Sequence, residues 1–100
     1  MSKYLEEKTQ NPFVGKRVLV RTYSAGVHVG ELVSAQGKEC VLKDCLRIWS
    51  WEGAFTLSKV ANEGIAGGRL TATPNIFLTE AIEYIPITLK ADNSFLKFVE

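Results

Sequence analysis

Residues 17–53 read RVLVRTYSAGVHVGELVSAQGKECVLKDCLRIWSWEG, and their pattern indicates the fold class. Apolar and polar residues alternate from Arg17 onward, with Val18 and Val20 on one face, as in a half-buried β-strand. Turn-forming residues, Ser24-Ala25-Gly26 and Gln36-Gly37-Lys38, interrupt the alternation. The predicted strands run over residues 17–23, 27–34, 39–43 and 46–51, with a short corner at Asp44-Cys45. Short strands joined by tight turns predict an antiparallel meander that wraps on itself.

The pattern changes after Gly53. Apolar residues recur at helical spacing over residues 54–63, and Gly64 follows as a C-cap. Gly67-Gly68 and Pro74 predict a flexible loop over residues 65–75. We therefore expect a β-rich α+β fold, a small antiparallel meander or SH3-like barrel with one short helix inserted before the last strands.

A single domain over residues 1–100 is the simplest organisation for a chain of 100 residues. The expected segments are an N-terminal arm over 1–13, a four-stranded meander over 14–53, a helix over 54–64, a loop over 65–75, the last strands over 76–90 and a C-terminal tail over 91–100. The apolar tail residues Phe95, Leu96 and Phe98 predict docking on the body or on another subunit.

Composition excludes some functions. Twelve Lys and Arg against eleven Asp and Glu give a net charge of +1, which argues against a basic protein that wraps duplex nucleic acid. Cys40 and Cys45 form no C-x-x-C motif, and we expect free thiols in a reducing compartment. The polar N-terminus resembles no secretory signal, and no apolar run approaches the ~20 residues of a membrane helix, so we expect a cytoplasmic protein with no membrane partner.

The sequence lacks the common motifs of catalytic sites. His28 is the one histidine, too few for a zinc site, and no serine stands in a nucleophile-elbow motif. Gly64, Gly67 and Gly68 lack the Lys-Ser/Thr of a phosphate-binding P-loop. We expect a protein that is not an enzyme, with no catalytic residue, no metal and no cofactor.

The most informative segment for function is LRIWSWEG, residues 46–53. Strand alternation would place Arg47, Trp49 and Trp51 together on one face. Indole rings stack on heterocyclic bases, and a guanidinium binds phosphate or carboxylate. The candidate ligand-binding residues are Arg21, Tyr23, Ser24, His28, Arg47, Trp49 and Trp51.

Two other interpretations of the tryptophans stay open at this point. Trp49 and Trp51 could be core anchors, because two tryptophans in so short a chain usually bury a large apolar area. They could also lie at a subunit interface, where Trp, Tyr and Arg are enriched. An interface and a ligand site can coincide.

Several motifs resemble a family of small phage-encoded proteins without assigned function. They are RTYSAGVHVG (21–30), LKDCLRIWSWEGA (42–54) with Leu57-Ser58, and IFLTEAIEYIP (76–86), and together the resemblance covers about three quarters of the chain. In that family an aromatic residue often lies between the two tryptophans, where this chain has Ser50. The resemblance implies a bacterial virus and the cytoplasm of an infected host, but no catalytic residues.

Three hypotheses for function follow. The first is a homo-oligomeric, non-enzymatic binder that sequesters a nucleotide-type immune signal of the host, an analogy with other small phage proteins. Trp49 and Trp51 would stack a base or form a wall of the pocket, Arg47 and Arg21 would neutralise phosphate, and Tyr23, Ser24 and His28 would form hydrogen bonds. The second is a single-stranded nucleic-acid-binding SH3-like or OB-like module. The third is a protein-interaction module that inhibits a host protein through an apolar patch of Phe95, Leu96 and Phe98.

Overall fold

Five strands form one antiparallel sheet in the computed structural model, which describes residues 11–100. The strands are β1 (Arg17–Thr22), β2 (Val27–Gln36), β3 (Glu39–Glu52), β4 (Gly67–Leu78) and β5 (Ala81–Pro86), and the helices are α1 (Leu57–Glu63) and α2 (Leu89–Leu96). The strand order is β4-β3-β2-β1-β5. The β-rich α+β class is confirmed, but the SH3-like barrel is wrong, because the sheet stays open with β4 and β5 as its edges.

The two edge strands are nevertheless consecutive in the chain. Thr79 and Glu80 alone connect Leu78 of β4 to Ala81 of β5. Three Cα–Cα steps span at most about 11 Å, so the ends of the two edges must lie close together. The backbone N–H of Ala81 donates to the carbonyl of Lys38, 2.9 Å away, at the tip of the β2–β3 hairpin. The sheet is therefore strongly coiled, and it approaches closure at one end.

Each face of the coiled sheet covers a core. The first core cluster, on the face covered by both helices, consists of Leu19, Val29, Leu46, Ile48, Val60, Ala61, Ile65, Leu70, Ala91 and Phe95. The second core cluster, on the opposite face, consists of Val18, Val20, Leu32, Cys40, Leu42, Cys45, Leu78 and Ala81. Adjacent residues of β1 contribute to different clusters, which confirms the predicted alternation of Val18 and Val20 against Leu19.

The third and fourth predicted strands are one continuous strand, β3. Val29 of β2 pairs with Leu46, but Glu31 pairs with Lys43. One residue of β2 therefore lies opposite two residues of β3, and the extra residue on β3 is Asp44. Asp44 has a φ of 51°, and Leu42 and Cys45 consequently reach the same core cluster although they are three residues apart. The predicted corner at Asp44-Cys45 is thus a β-bulge and not a chain reversal.

The predicted loop over residues 65–75 is wrong, because most of it belongs to β4. β4 pairs with β3 along almost its whole length, from Gly67 opposite Glu52 to Leu78 opposite Cys40. Gly68 has a φ of 156°, and a Cβ there would collide with the carbonyl oxygen of Ser50. The glycines that predicted flexibility instead permit a close approach of two strands.

Both helices begin at threonine N-caps. The Thr56 hydroxyl accepts a 3.1 Å hydrogen bond from the Lys59 N–H at the start of α1, which ends at Gly64 as predicted. The helix starts three residues later than the predicted Ala54. Thr88 caps α2 in the same way, and α2 replaces part of the expected last strands and tail. None of the helices over residues 11–100 is long and apolar enough to cross a bilayer.

The end of the chain docks on the body. Val99 forms a parallel bridge with Leu70 of β4, and the Glu100 N–H donates to the Leu70 carbonyl at 2.8 Å. Phe95 is fully buried and Phe98 is half-buried, so the exposed apolar patch expected from the tail does not form; Leu96 alone of that trio is exposed. Most of the predicted N-terminal arm lies outside the described residues, although Phe13 contacts the second core cluster.

Candidate functional site

A shallow, open recess of about 280 Å³ lies between the β1–β2 turn and the second half of β3. Its walls come from two short segments, Ser24-Ala25-Gly26 and Arg47-Ile48-Trp49. Three of the seven predicted ligand-binding residues, Ser24, Arg47 and Trp49, therefore come together here. The other four, Arg21, Tyr23, His28 and Trp51, do not line it.

Arg47 connects the two walls of the recess. It pairs with His28 on β2 and with Thr71 on β4, which places its side chain on the face of the second core cluster. Its Nη2 donates a 2.9 Å hydrogen bond to the carbonyl of Ala25. Its Cζ lies 4.8 Å from the centroid of the Trp49 ring, within range of a cation–π interaction. The guanidinium thus fixes the turn and covers part of the indole.

Trp49 occupies a β-bulge. Ile48 pairs with Leu70 and Ser50 pairs with Arg69, so β3 has one extra residue between two consecutive residues of β4. The indole Nε1–H donates to the Thr71 hydroxyl at 2.9 Å. The side chain is held by this bond and by Arg47, yet it remains 60% exposed. A large apolar ring is therefore held in a defined position at the protein surface.

Trp51 does not share a face with Trp49, contrary to the prediction. The bulge reverses the alternation, so Trp51 packs against the first core cluster together with Ile48. Its Nε1–H donates to the Ala54 carbonyl at 3.0 Å. Trp51 is therefore a core anchor, one of the alternatives considered for the two tryptophans. The predicted surface with two indole rings has only one, that of Trp49.

Arg21 and Tyr23 also lie away from the recess. Arg21 pairs with Val27, which packs against the first core cluster, so Arg21 and Arg47 are on opposite faces of the sheet. The Arg21 Nε forms an ion pair with Glu83, at 3.0 Å. Tyr23 is 75% exposed and does not line the recess. The structure therefore does not bring Arg21 and Arg47 to one site.

The β1–β2 turn is held by several hydrogen bonds. The Thr22 hydroxyl donates to the Gly26 carbonyl at 2.7 Å and accepts from the Ala25 N–H at 2.9 Å. The Ser24 hydroxyl donates to the Glu80 carboxylate at 2.6 Å. Gly26 has a φ of 87°, a conformation that L-residues with a side chain rarely adopt. These contacts connect the recess wall to the β4–β5 link.

His28 supports the turn from below and does not reach the recess. It is fully buried, and its Nε2 lies 2.9 Å from the Ala25 carbonyl. Because a carbonyl only accepts hydrogen bonds, Nε2 carries the proton and Nδ1 does not. Burial lowers the pKa of His28, and the positive charge of Arg47 lowers it further, against the opposing effect of the Ala25 bond. The ring is therefore neutral at pH 7, and the structure does not bring it to the recess.

The two cysteines are free, as predicted, and both are buried in the second core cluster. Burial raises the pKa of the Cys45 thiol to about 11 and also raises the pKa of the Cys40 thiol. Burial likewise raises the pKa of Tyr84, whose hydroxyl faces the same interior. Thiols with raised pKa values are poor nucleophiles. Among residues 11–100, no three His, Cys, Asp or Glu side chains come close enough to hold a metal ion.

A family model describing a domain of unknown function, DUF6948, matches residues 15–95 of the chain. This chain is a DUF6948 domain. The match spans every strand, α1 and nearly all of α2, so it includes both walls of the recess. No curated protein and no solved structure matches the chain.

Several residues that line the recess or fix its side chains were not predicted as site residues. The Ala25 carbonyl accepts the hydrogen bond of Arg47, and the Gly26 carbonyl accepts that of the Thr22 hydroxyl. Both are backbone groups, so the residue types at these positions do not predict these contacts. Thr71 fixes the indole, but it lies in the segment predicted to be a loop. The signal that could have identified it is the alternation of Arg69, Thr71 and Thr73 around buried Leu70.

Proposed function

We propose that this domain binds, without chemical turnover, a small ligand that combines a planar heterocycle with a negative charge, as a nucleotide does. The observation that carries the proposal is the surface indole of Trp49, which is 60% exposed although Arg47 and Thr71 fix its position. Exposing an indole forgoes the free energy of burying its apolar area. A fixed, exposed ring is suited to stacking, which contributes about 1–3 kcal/mol per base.

The surroundings of the Trp49 ring are suited to the negative charge of such a ligand. Arg47 supplies a permanent positive charge beside the ring and lines the recess together with it. The recess, at about 280 Å³, is slightly smaller than the roughly 300–1,000 Å³ of typical small-molecule sites. This size favours a nucleotide-scale molecule over a large cofactor.

The states of the reactive side chains support binding without catalysis. His28 is buried beneath the turn, and the Ser24 hydroxyl is bonded to Glu80. Both thiols are buried with raised pKa values. None of these groups is presented to the recess as an activated base or nucleophile.

The biological setting is proposed from the resemblance to phage-encoded proteins. In that setting the domain acts in the cytoplasm of an infected bacterium, as a homo-oligomer, and sequesters a nucleotide-type immune signal of the host. The mass of any small molecule released from the purified protein by heating would identify the signal.

Calorimetric titration with ADP and with adenosine tests the proposed function. We expect Trp49→Ala to weaken the binding of both probes about tenfold or more, because both contain the stacking base. Phe55→Ala is the matched control, since Phe55 is also an exposed aromatic residue, at 95% exposure, but does not line the recess. Equal affinities for the wild type and Trp49→Ala, or no binding of either probe, would overturn the proposal.

The same indole and guanidinium could also stack on single-stranded nucleic acid, and salt dependence distinguishes the two functions. A strand that contacts many phosphates loses affinity steeply as salt rises, whereas a mononucleotide-scale ligand does so weakly. We expect a shallow slope for ADP and weaker binding of an oligothymidylate. A steep slope with tighter oligothymidylate binding would favour the nucleic-acid function.

A further inference from the structure

A second arginine lies on the same face of the sheet as the recess. Leu70 is fully buried in the first core cluster, so its neighbours Arg69 and Thr71 face the opposite side. Thr71 accepts the indole hydrogen bond of Trp49, which confirms that these residues share a face. Arg69 is directly opposite Ser50, the residue after Trp49. Along the strand direction, Arg47 therefore comes before Trp49 and Arg69 lies level with the residue after it.

Glu100 holds the Arg69 side chain. The Arg69 Nε lies 3.0 Å from Oε2 of Glu100, and Nη2 lies 3.5 Å from Oε1. Backbone hydrogen bonds to Leu70 on both sides of Val99 fix the position of Glu100. The Arg69 side chain is nonetheless 72% exposed. An intramolecular carboxylate thus occupies the fork with which arginine binds phosphate.

We propose that Arg69, which lies beyond Trp49 on β4 and outside the walls of the recess, is a second phosphate-binding residue for a ligand stacked on Trp49, and that Glu100 competes with the ligand for it. This inference rests on the proposed function and narrows its ligand to nucleotides with two or more phosphate groups. Arg47 is already bonded to Ala25 and stacked on Trp49, so a second cation is needed for a longer phosphate chain. A phosphate that displaces Glu100 exchanges one charge-assisted pair for another.

Competition between Glu100 and the ligand predicts the direction in which removal of the Glu100 charge changes the ligand affinity. Removing the Glu100 charge frees Arg69 and lowers the local negative charge, so affinity for a polyphosphate ligand should rise. Glu52 lies opposite Gly67 in the β3–β4 pairing, two residues from Arg69. Its carboxylate is present in every variant, so its negative charge does not contribute to the differences between them. The gain should shrink at high salt, because charges at the surface are screened.

The Arg21–Glu83 pair provides a matched control. Its Nε–O distance is also 3.0 Å and it too is exposed, but it lies on the other face of the sheet. Glu83→Gln therefore removes the same charge from an equivalent pair remote from the recess. We expect Glu100→Gln to tighten ADP binding about twofold to fivefold and to leave adenosine binding unchanged. We expect Glu83→Gln to change neither.

Arg69→Gln completes the experiment. It should weaken ADP binding, and adding Glu100→Gln to it should then give no gain, because the two residues act through one pair. ADP binding that depends on Trp49 but responds alike to Glu100→Gln and Glu83→Gln would overturn this inference alone. Failure of wild type to bind either probe, or binding that ignores Trp49→Ala, would overturn the proposed function and this inference with it.

Discussion

The guanidinium carbon of Arg47 lies 4.8 Å from the ring centroid of Trp49, two residues further along the same strand. In a regular strand the two side chains would share a face at about 7 Å spacing. Alternation through Ile48 already places the indole of Trp49 outside the first core cluster, and the bulge turns the next tryptophan, Trp51, into that core. The bulge thus leaves Trp49 as the one exposed indole, and Arg47 links that ring to the Ala25 carbonyl.

Replacing Arg47 by lysine should loosen this link. Lysine keeps the charge but lacks the planar fork that stacks on the indole while donating to Ala25. We expect a loss of about 1 kcal/mol in the free energy of unfolding, measured by urea titration. Arg21→Lys, in an exposed pair, should change stability much less. Equal effects of the two variants would contradict the role assigned to Arg47.

His28 should make stability depend on pH. Its pKa is lowered in the folded state from the ordinary value of 6.5, so the unfolded chain binds more protons once the pH falls below 6.5. His28 therefore destabilises the fold progressively as the pH falls from 6.5 through its folded pKa. We expect urea unfolding at pH 7.5 and pH 5 to show a larger loss of stability for wild type than for His28→Gln. Parallel losses would show that His28 is not the group responsible.

Gly26 should be sensitive to any side chain. Its φ of 87° is unfavourable for alanine, although a Cβ there would contact nothing within 4 Å. We expect Gly26→Ala to cost about 1–2 kcal/mol of stability through backbone strain alone. Gly26→Asn should cost less, because asparagine tolerates positive φ better. Thermal unfolding of both variants checks this, and an unchanged midpoint in Gly26→Ala would contradict a positive φ at this turn.

The thiols should react only when the protein opens. Both cysteines are buried, and the pKa of Cys45 is about 11, so little thiolate exists at pH 8. We expect Ellman's reagent to label neither thiol rapidly in the native protein and both in urea. Rapid labelling of one thiol without denaturant would show that the second core cluster admits solvent.

The strand pattern predicted much of the fold because β1, β2 as far as Leu32 and the first part of β3 follow simple alternation. It failed at Asp44 and Trp49, where a bulge adds one residue and reverses the faces that follow. A bulge depends on the pairing strand, which hydrophobic periodicity within one segment does not reveal. The predicted joint face of Trp49 and Trp51 was lost for this reason.

Tertiary pairing also overrode local signals further along the chain. Gly67, Gly68 and Pro74 predicted a loop, but β3 provides hydrogen-bond partners along the segment, and Pro74 is tolerated because β4 is an edge strand. The helix α2 did have a local signal in Thr88 as N-cap and in the spacing of Ala91 and Phe95. Arg47 and Trp49 do share a face, as the alternation predicted, because both precede the residues that the second bulge reverses, and they line the recess with Ser24.

Tryptophan fluorescence can report whether a nucleotide stacks on Trp49, because the two tryptophans of the chain have different environments. Trp51→Phe leaves the exposed Trp49 as the one reporter, and Trp49→Phe leaves the half-buried Trp51. We expect ADP to quench the emission of Trp51→Phe with a saturable curve and to leave that of Trp49→Phe unchanged. Saturable quenching in Trp49→Phe, or none in Trp51→Phe, would contradict a stacking role for the exposed indole.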